Sequence, residues 1–292
     1  MPRLAYVNGR YLPHADARVH VEDRGYQFAD GVYEVVAIAE GRLADFEGHM
    51  VRLGRSLKEL RIDWPVARPV LEMIIRELVR RNGVSTGLVY LQITRGVAPR
   101  DFKFPNPKVR PGLVLTTRKL TRFAAPAQVE SGVGVITIPD IRWLRRDIKS
   151  VSLLPQVLGK QQAVEAGCYE AWMVEDDGMI TEGCSSNAWI VNADGTLITR
   201  HADTHILNGV TRLSLLRLAE SFGATTEVRP FTVAEAYQAR EAFLSSASTF
   251  ALPITRIDGK PVGDGKPGAL TLRLRAAYLE ALAGQPVAGG AP

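Results

Sequence analysis

DIRWLRRDIKSVSLLPQVLGKQQ, residues 140–162, is the stretch on which the reading of this chain turns. The apolar run Val133 to Ile138 before it is predicted as a strand. A helix is predicted after it, from about Leu153 to Ala166, with Gly167 as its stop. A basic, irregular segment joins the two and ends in Asp147-Ile148-Lys149-Ser150, so Lys149 stands just ahead of the helix. A lysine there is a candidate for a Schiff-base nucleophile, while the surface-lysine reading fits most lysines in any protein; Lys160 falls in mid-helix without such a setting.

Toward the N-terminus, Leu4 to Val7 and Tyr11-Leu12 flank Asn8-Gly9, a hairpin signal because Asn-Gly accepts the positive φ of a tight turn. Val32 to Ala39 and Arg42 to Phe46 flank Glu40-Gly41 in the same way. Met50, Leu53, Leu57 and Leu60 recur at helical spacing and predict a helix over 47–61, with a second over 68–81 stopped near Gly83. Gly87 to Thr94 and Gly112 to Thr117 read as strands. Beyond residue 162, Asp177-Gly178 and Asp194-Gly195 mark hairpin turns on either side of the strand Ala188 to Val191. Helices are predicted over 209–222, from the capping box Thr232…Glu235, and over 270–282. Strands outnumber crossover helices, which predicts an α+β architecture. The domains are expected at 1–120, small and N-terminal, and at 133–283, larger and carrying Lys149. The polar, alanine-rich residues 121–132 are expected as linker and 284–292 as a flexible tail.

Of 292 residues, 46% are hydrophobic and 23% charged, the balance of a globular protein. No apolar run approaches a membrane span, the start lacks the apolar core of a signal peptide, and Cys168 and Cys184 are too few for a disulfide framework. A cytoplasmic location is therefore expected, with no membrane partner. A net charge of +5 is modest and the arginines are scattered away from aromatics, so no nucleic-acid partner is expected. The five histidines are too dispersed for a zinc site, and no metal is expected. Gly132-Val133-Gly134 lacks the third glycine of a dinucleotide fingerprint, and Gly183-Cys184-Ser185-Ser186-Asn187 lacks the second glycine of a serine nucleophile turn.

Four segments form one pattern: EDRGYQFADGVYEV (22–35), the stretch 140–162, TEGCSSN (181–187) and ILNGVTR (206–212). In this order and spacing, over about residues 3 to 280, the chain resembles the fold-type-IV pyridoxal-phosphate enzymes, most closely the D-amino-acid aminotransferases. The resemblance implies two domains with pyridoxal 5'-phosphate between them and Lys149 as the lysine that holds it in a Schiff base. It places Glu182 beside the ring nitrogen, with Ser186 and Asn187 in the same cofactor segment. Leu207 would lie against the ring. Gly209, Val210 and Thr211 would lie on the phosphate, where a helix start favours an anion. Arg52 would add charge, and Ser246 and Ala247 would close the far side.

By the same resemblance Tyr33, Glu34 and Val35 belong to the substrate pocket, and Arg100 grips the substrate carboxylate, for which a guanidinium is well shaped. The expected histidine two residues on is replaced by Phe102, a change that suggests side activity on (R)-primary amines. The implied reaction is ping-pong transamination of a D-amino acid with a 2-oxo acid such as 2-oxoglutarate or pyruvate, by way of pyridoxamine phosphate, in a homodimer. The alternatives on this fold are a branched-chain L-amino-acid aminotransferase and an aminodeoxychorismate lyase. Outside enzymes, the alternative is a regulatory protein that binds the cofactor.

Overall fold

A computed structural model describes residues 3–284. The chain forms two compact units. One holds the described residues up to Arg122 together with Ile148–Ser152 and 282–284; the other holds Phe123–Asp147 and Leu153–Ala281.

The first unit is a six-stranded antiparallel sheet in the order Arg10–Pro13, Leu4–Val7, Gly112–Lys119, Gly87–Thr94, Gly31–Ala39, Arg42–Leu43. Asn8 and Gly9 take positive φ at the first predicted turn, Glu40 and Gly41 at the second. The helices Phe46–Glu59 and Arg68–Asn82 bury Met50, Leu53, Leu57, Leu71, Ile75 and Leu78 in the same core as the sheet's Val32, Val36, Val89 and Leu91. This is the apolar stripe at 3.6-residue spacing meeting the period-2 face of the strands. Gly83 ends the second helix in the left-handed region. The short helix Arg24–Phe28, capped by Asp23, had no periodicity long enough to announce it.

The second unit carries a ten-stranded mixed sheet in which Val133–Pro139 runs parallel to both Phe250–Ile257 and Glu170–Val174. Helix Leu154–Glu165 lies within the crossover between Val133–Pro139 and Glu170–Val174. The expected hairpins stand at Gly178 and Gly195, the helix Val210–Ser221 ends before the left-handed Gly223, and the Thr232–Glu235 capping box is formed. The architecture is α+β.

Several boundaries differ from the sequence reading. Phe46 opens a helix and does not close a strand, which stops at Leu43. The stretch expected as linker holds the helix Pro126–Ser131, and from Phe123 it belongs to the second unit. Ile148–Ser152, with Lys149, packs in the first unit, although its neighbours on both sides belong to the second. The hairpin Glu241–Ser246 with Phe250–Ile257 has no clear sequence signal: Glu241–Ser246 is buried almost throughout and so shows no alternation, and Pro253 interrupts its partner. The expected tail lies, from residue 285 on, outside the described residues.

Candidate active site

In the first unit the site is built on the strand Gly31–Ala39. Lys149 reaches it because Ile148–Ser152 pairs with the start of that strand: the Tyr33 amide donates to the Lys149 carbonyl at 3.0 Å and the Val151 amide to the Gly31 carbonyl at 3.1 Å. The Lys149 amide donates in turn to Ser56 Oγ at 3.3 Å. The Lys149 ammonium lies 4.3 Å from the centre of the Tyr33 ring. Tyr33 itself packs against Tyr90, whose hydroxyl burial pushes up to about 12.

Successive side chains of a strand alternate between faces, so Tyr33 and Val35 share one face and Glu34 takes the other. Tyr33 and Val35 are half-buried, whereas Glu34 is completely enclosed. Its carboxylate receives Arg52 Nε at 2.8 Å and Arg52 Nη2 at 2.7 Å, and lies 2.7 Å from His49 Nδ1. Burial alone would raise Glu34, but Arg52 and then His49 outweigh it and bring the carboxyl down to about 2. Burial holds His49 below its ordinary value despite Glu34. Arg52 and His49 lie three residues apart on helix Phe46–Glu59, which is how one carboxylate meets both. His49 was missed in the sequence, where it is one more residue of an amphipathic helix.

Arg100 is exposed, with its guanidinium 5.1 Å from the Phe28 ring and 5.7 Å from that of Phe102. Phe102 is 81% exposed and its ring lies 5.5 Å from Phe28. The other arginines nearby are engaged: Arg24 and Arg95 both bind the Asp30 carboxylate.

In the second unit Glu182, Asn187 and Leu207 are joined directly. Glu182 Oε2 accepts from Asn187 Nδ2 at 3.0 Å, Glu182 Oε1 from the Leu207 amide at 3.1 Å, and the Leu207 carbonyl from Asn187 Nδ2 at 2.9 Å. Arg142 Nη1 donates to Glu182 Oε1 at 2.5 Å while its Nη2 donates to Asp140 at 2.7 Å. Burial pushes Glu182 above the ordinary carboxylate range against the pull of Arg142 and the Leu207 amide. Burial also opposes the Arg142 charge, but Glu182 and Asp140 outweigh it and hold the guanidinium protonated. Arg142 and Asp140 stand in the stretch that decided the reading, yet nothing there shows that they would reach residue 182. Ser186 is turned toward Glu170, whose buried carboxylate also binds the Ser185 hydroxyl at 2.7 Å.

Gly209 caps helix Val210–Ser221 with no side-chain hydrogen bond, and a Cβ there would run into the Asn187 carboxamide. The helix start is therefore kept bare and close to Asn187, with Val210 and Thr211 buried in its first turn. Asn187 faces Ser245 across the pairing of Asn187–Val191 with Glu241–Ser246, so Ser246 follows at the same sheet end. Ser246 Oγ bonds Thr249 Oγ1 at 2.8 Å and Ser248 Oγ at 3.1 Å, and Ala247 is half-buried between them. A buried carboxylate, an uncapped helix start and a hydroxyl-lined hairpin form a donor and acceptor set that suits a cationic ring nitrogen and a phosphate.

The fold and this donor set define a class: the type-IV fold of pyridoxal-phosphate enzymes. A model of the family Amino-transferase class IV matches residues 31–257, and the chain belongs to that family. It is a pyridoxal-phosphate-dependent aminotransferase. It is 38% identical over 273 residues to the D-alanine aminotransferase of Staphylococcus aureus (strain MSSA476), covering 94% of this chain and 95% of that one. It is 40% identical over 275 residues to the D-alanine aminotransferase of Bacillus licheniformis, covering 92% and 94%. Among solved structures, a T.th. branched-chain amino acid aminotransferase with pyridoxamine 5'-phosphate superposes with a TM-score of 0.89 at 27% identity, covering 98% of this chain and 96% of that chain.

Proposed function

We infer that the protein transfers the amino group of a D-amino acid to a 2-oxo acid such as 2-oxoglutarate or pyruvate, with Lys149 as its catalytic base. The observation that carries this reading is the kinship to D-alanine aminotransferases over nearly the whole chain, in a chain that keeps Lys149 fixed on the strand beside Tyr33. Bound pyridoxal phosphate supplies an aldehyde for the substrate amine and a ring that draws off the electron pair left on the α-carbon.

The residues divide the work. Lys149 Nζ, 4.3 Å from the centre of the Tyr33 ring, would as a free amine take the proton from the substrate α-carbon. Glu182 holds a proton on the ring nitrogen, and Arg142, Asn187 and the Leu207 amide fix its carboxylate for that purpose. The amides of Val210 and Thr211, the Thr211 hydroxyl and the Ser246-Ala247 turn receive the phosphate, and Arg52 adds positive charge. Leu207 packs on the ring. Tyr33, Val35, Arg100 and Phe102 line the path of the substrate, with Arg100 on its carboxylate. Glu34 lies on the opposite strand face from Tyr33 and serves by holding Arg52 and His49.

The chain works as a homodimer in this reading. The helix Leu154–Glu165 supports it by exposing Leu154, Val157 and Leu158 as an apolar stripe at i, i+3, i+4 spacing. Sedimentation velocity tests it, and a monomer at micromolar concentration would count against it. No described helix is long and apolar enough to cross a membrane. The free thiols Cys168 and Cys184 support a cytoplasmic location.

The test of the reaction is turnover by the loaded protein with D-alanine, L-alanine or L-leucine, each with 2-oxoglutarate. Glutamate formed from D-alanine alone supports the reading. Faster turnover of L-leucine moves the chain to the branched-chain L-amino-acid reaction. Pyruvate released from aminodeoxychorismate without an acceptor would make it a lyase.

A further inference from the structure

The hairpin between Glu241–Ser246 and Phe250–Ile257 closes in three residues, Ala247 to Thr249. Such loops commonly end on a residue in the left-handed region, and glycine is the residue that takes it without cost. Here that residue is Phe250, at φ 61° and completely buried. A bulky side chain in that region is strained and persists only where the surroundings over-determine it.

The surroundings are on one helix. Helix Ala269–Ala283 presents Arg275 and Tyr278, three residues apart and so on one face. The Tyr278 ring lies 5.0 Å from that of Phe250, and Phe123 closes the other approach at 4.5 Å. Arg275 Nη1 donates to the Thr249 carbonyl at 2.5 Å and to the Ala251 carbonyl at 2.8 Å, the two carbonyls that flank Phe250. Among the described residues no carboxylate pairs with this guanidinium, and burial lowers its pKa. The cation is thus committed to the backbone of one turn. That turn gathers three hydroxyls, Ser246 with Ser248 and Thr249.

We propose that Arg275 is a positioning residue for the cofactor phosphate: by binding the carbonyls on both sides of the left-handed Phe250, it fixes the Ser246–Thr249 turn in the shape that receives the phosphate. The proposal rests on the preceding assignment of Ser246 and Ala247 to the phosphate. In this role Arg275 acts through the turn, its guanidinium being taken up by the Thr249 and Ala251 carbonyls. Its loss therefore weakens the hold on the phosphate group and leaves the hold on the ring and aldehyde intact.

The experiment is a titration of the full-length protein, stripped of cofactor, with pyridoxal phosphate and separately with pyridoxal, which lacks the phosphate. Arg275→Met is expected to raise the Kd for pyridoxal phosphate at least about tenfold and to leave that for pyridoxal within about twofold, with Arg275→Lys intermediate. Equal weakening of both ligands, or no change for either, overturns the proposal and leaves Arg275 a structural residue. If Arg275→Met does not fold, the same comparison on Arg275→Lys decides. A wild-type protein that binds the two ligands equally would overturn the phosphate site itself, and the role of Arg275 with it.

Discussion

Lys149 and Tyr33 are joined twice, through the Tyr33 amide on the Lys149 carbonyl and through the Tyr33 ring under the Lys149 ammonium. The first contact fixes where the lysine leaves the backbone and the second fixes where its charge lies. A cation over an aromatic face gains about 0.5–2 kcal/mol, depending on how far it is desolvated. Tyr33→Phe keeps the ring and should retain most of kcat, whereas Tyr33→Ala should lower it about tenfold or more. Steady-state kinetics on both variants checks this, and a Phe variant as poor as the Ala variant would assign the effect to the hydroxyl.

Lys149→Ala should abolish turnover, by at least about 10³-fold, since the proposed reaction gives both the covalent attachment and the proton transfer to this one amine. Circular dichroism of the variant should match the wild type, because the backbone bonds of Lys149 do not involve its side chain. Residual activity near wild type would move the chemistry to another lysine.

Arg142→Met should be costly for stability and Glu182→Gln costly for catalysis. Removing Arg142 leaves Glu182 buried without its cation and Asp140 with Arg146 alone at 3.4 Å, a loss of about 3–5 kcal/mol in denaturant unfolding. Glu182→Gln keeps the shape but cannot hold a proton on a ring nitrogen, and should lower kcat about 10²-fold with a smaller effect on folding. The opposite ranking would make Glu182 a structural residue.

The Glu34–Arg52–His49 group predicts a pH dependence of stability. Glu34 is depressed from 4.5 to about 2, so its contribution is complete above pH 4.5 and is lost as pH falls toward 2. Over that span the loss amounts to about 3 kcal/mol, of which about 2 kcal/mol is gone by pH 3. Glu34→Gln does not titrate there, so the gap in unfolding free energy between wild type and variant should narrow by about that amount between pH 6 and pH 3. A constant gap would mean that Glu34 titrates alike in the folded and unfolded chains. His49 is also depressed, by burial, so the unfolded chain takes its proton first and stability begins to fall below 6.5; His49→Phe should remove that component.

Phe102 is the place to test substrate choice. Its exposed ring against Phe28 offers an apolar surface next to Arg100. The wild type should turn over (R)-1-phenylethylamine measurably beside D-alanine, and Phe102→His should lower the amine-to-D-alanine ratio of kcat/KM by about 10-fold. An unchanged ratio would remove Phe102 from the substrate path.

The local elements were legible because each has a local cause. The Asn8-Gly9 turn, the stripe of Met50, Leu53 and Leu57, the Gly83 stop and the Thr232–Glu235 capping box are each written within a few residues. The family, and with it the candidates Lys149, Glu182 and Thr211, was legible as four short segments in fixed order. What surrounds those residues was not. His49 meets Glu34 because a helix packs on a strand face, Arg142 meets Glu182 across 40 positions of chain, and Arg275 grips the turn at Phe250 from another helix. Ile148–Ser152 joins the first unit by pairing with a strand more than a hundred residues earlier. Periodicity and turn chemistry act over a few residues, so the sequence by itself determined the elements that have such a local signal, and it named Lys149, Glu182 and Thr211 as candidates. Burial, charge pairing and strain depend on which elements come together, and only the tertiary structure decided those.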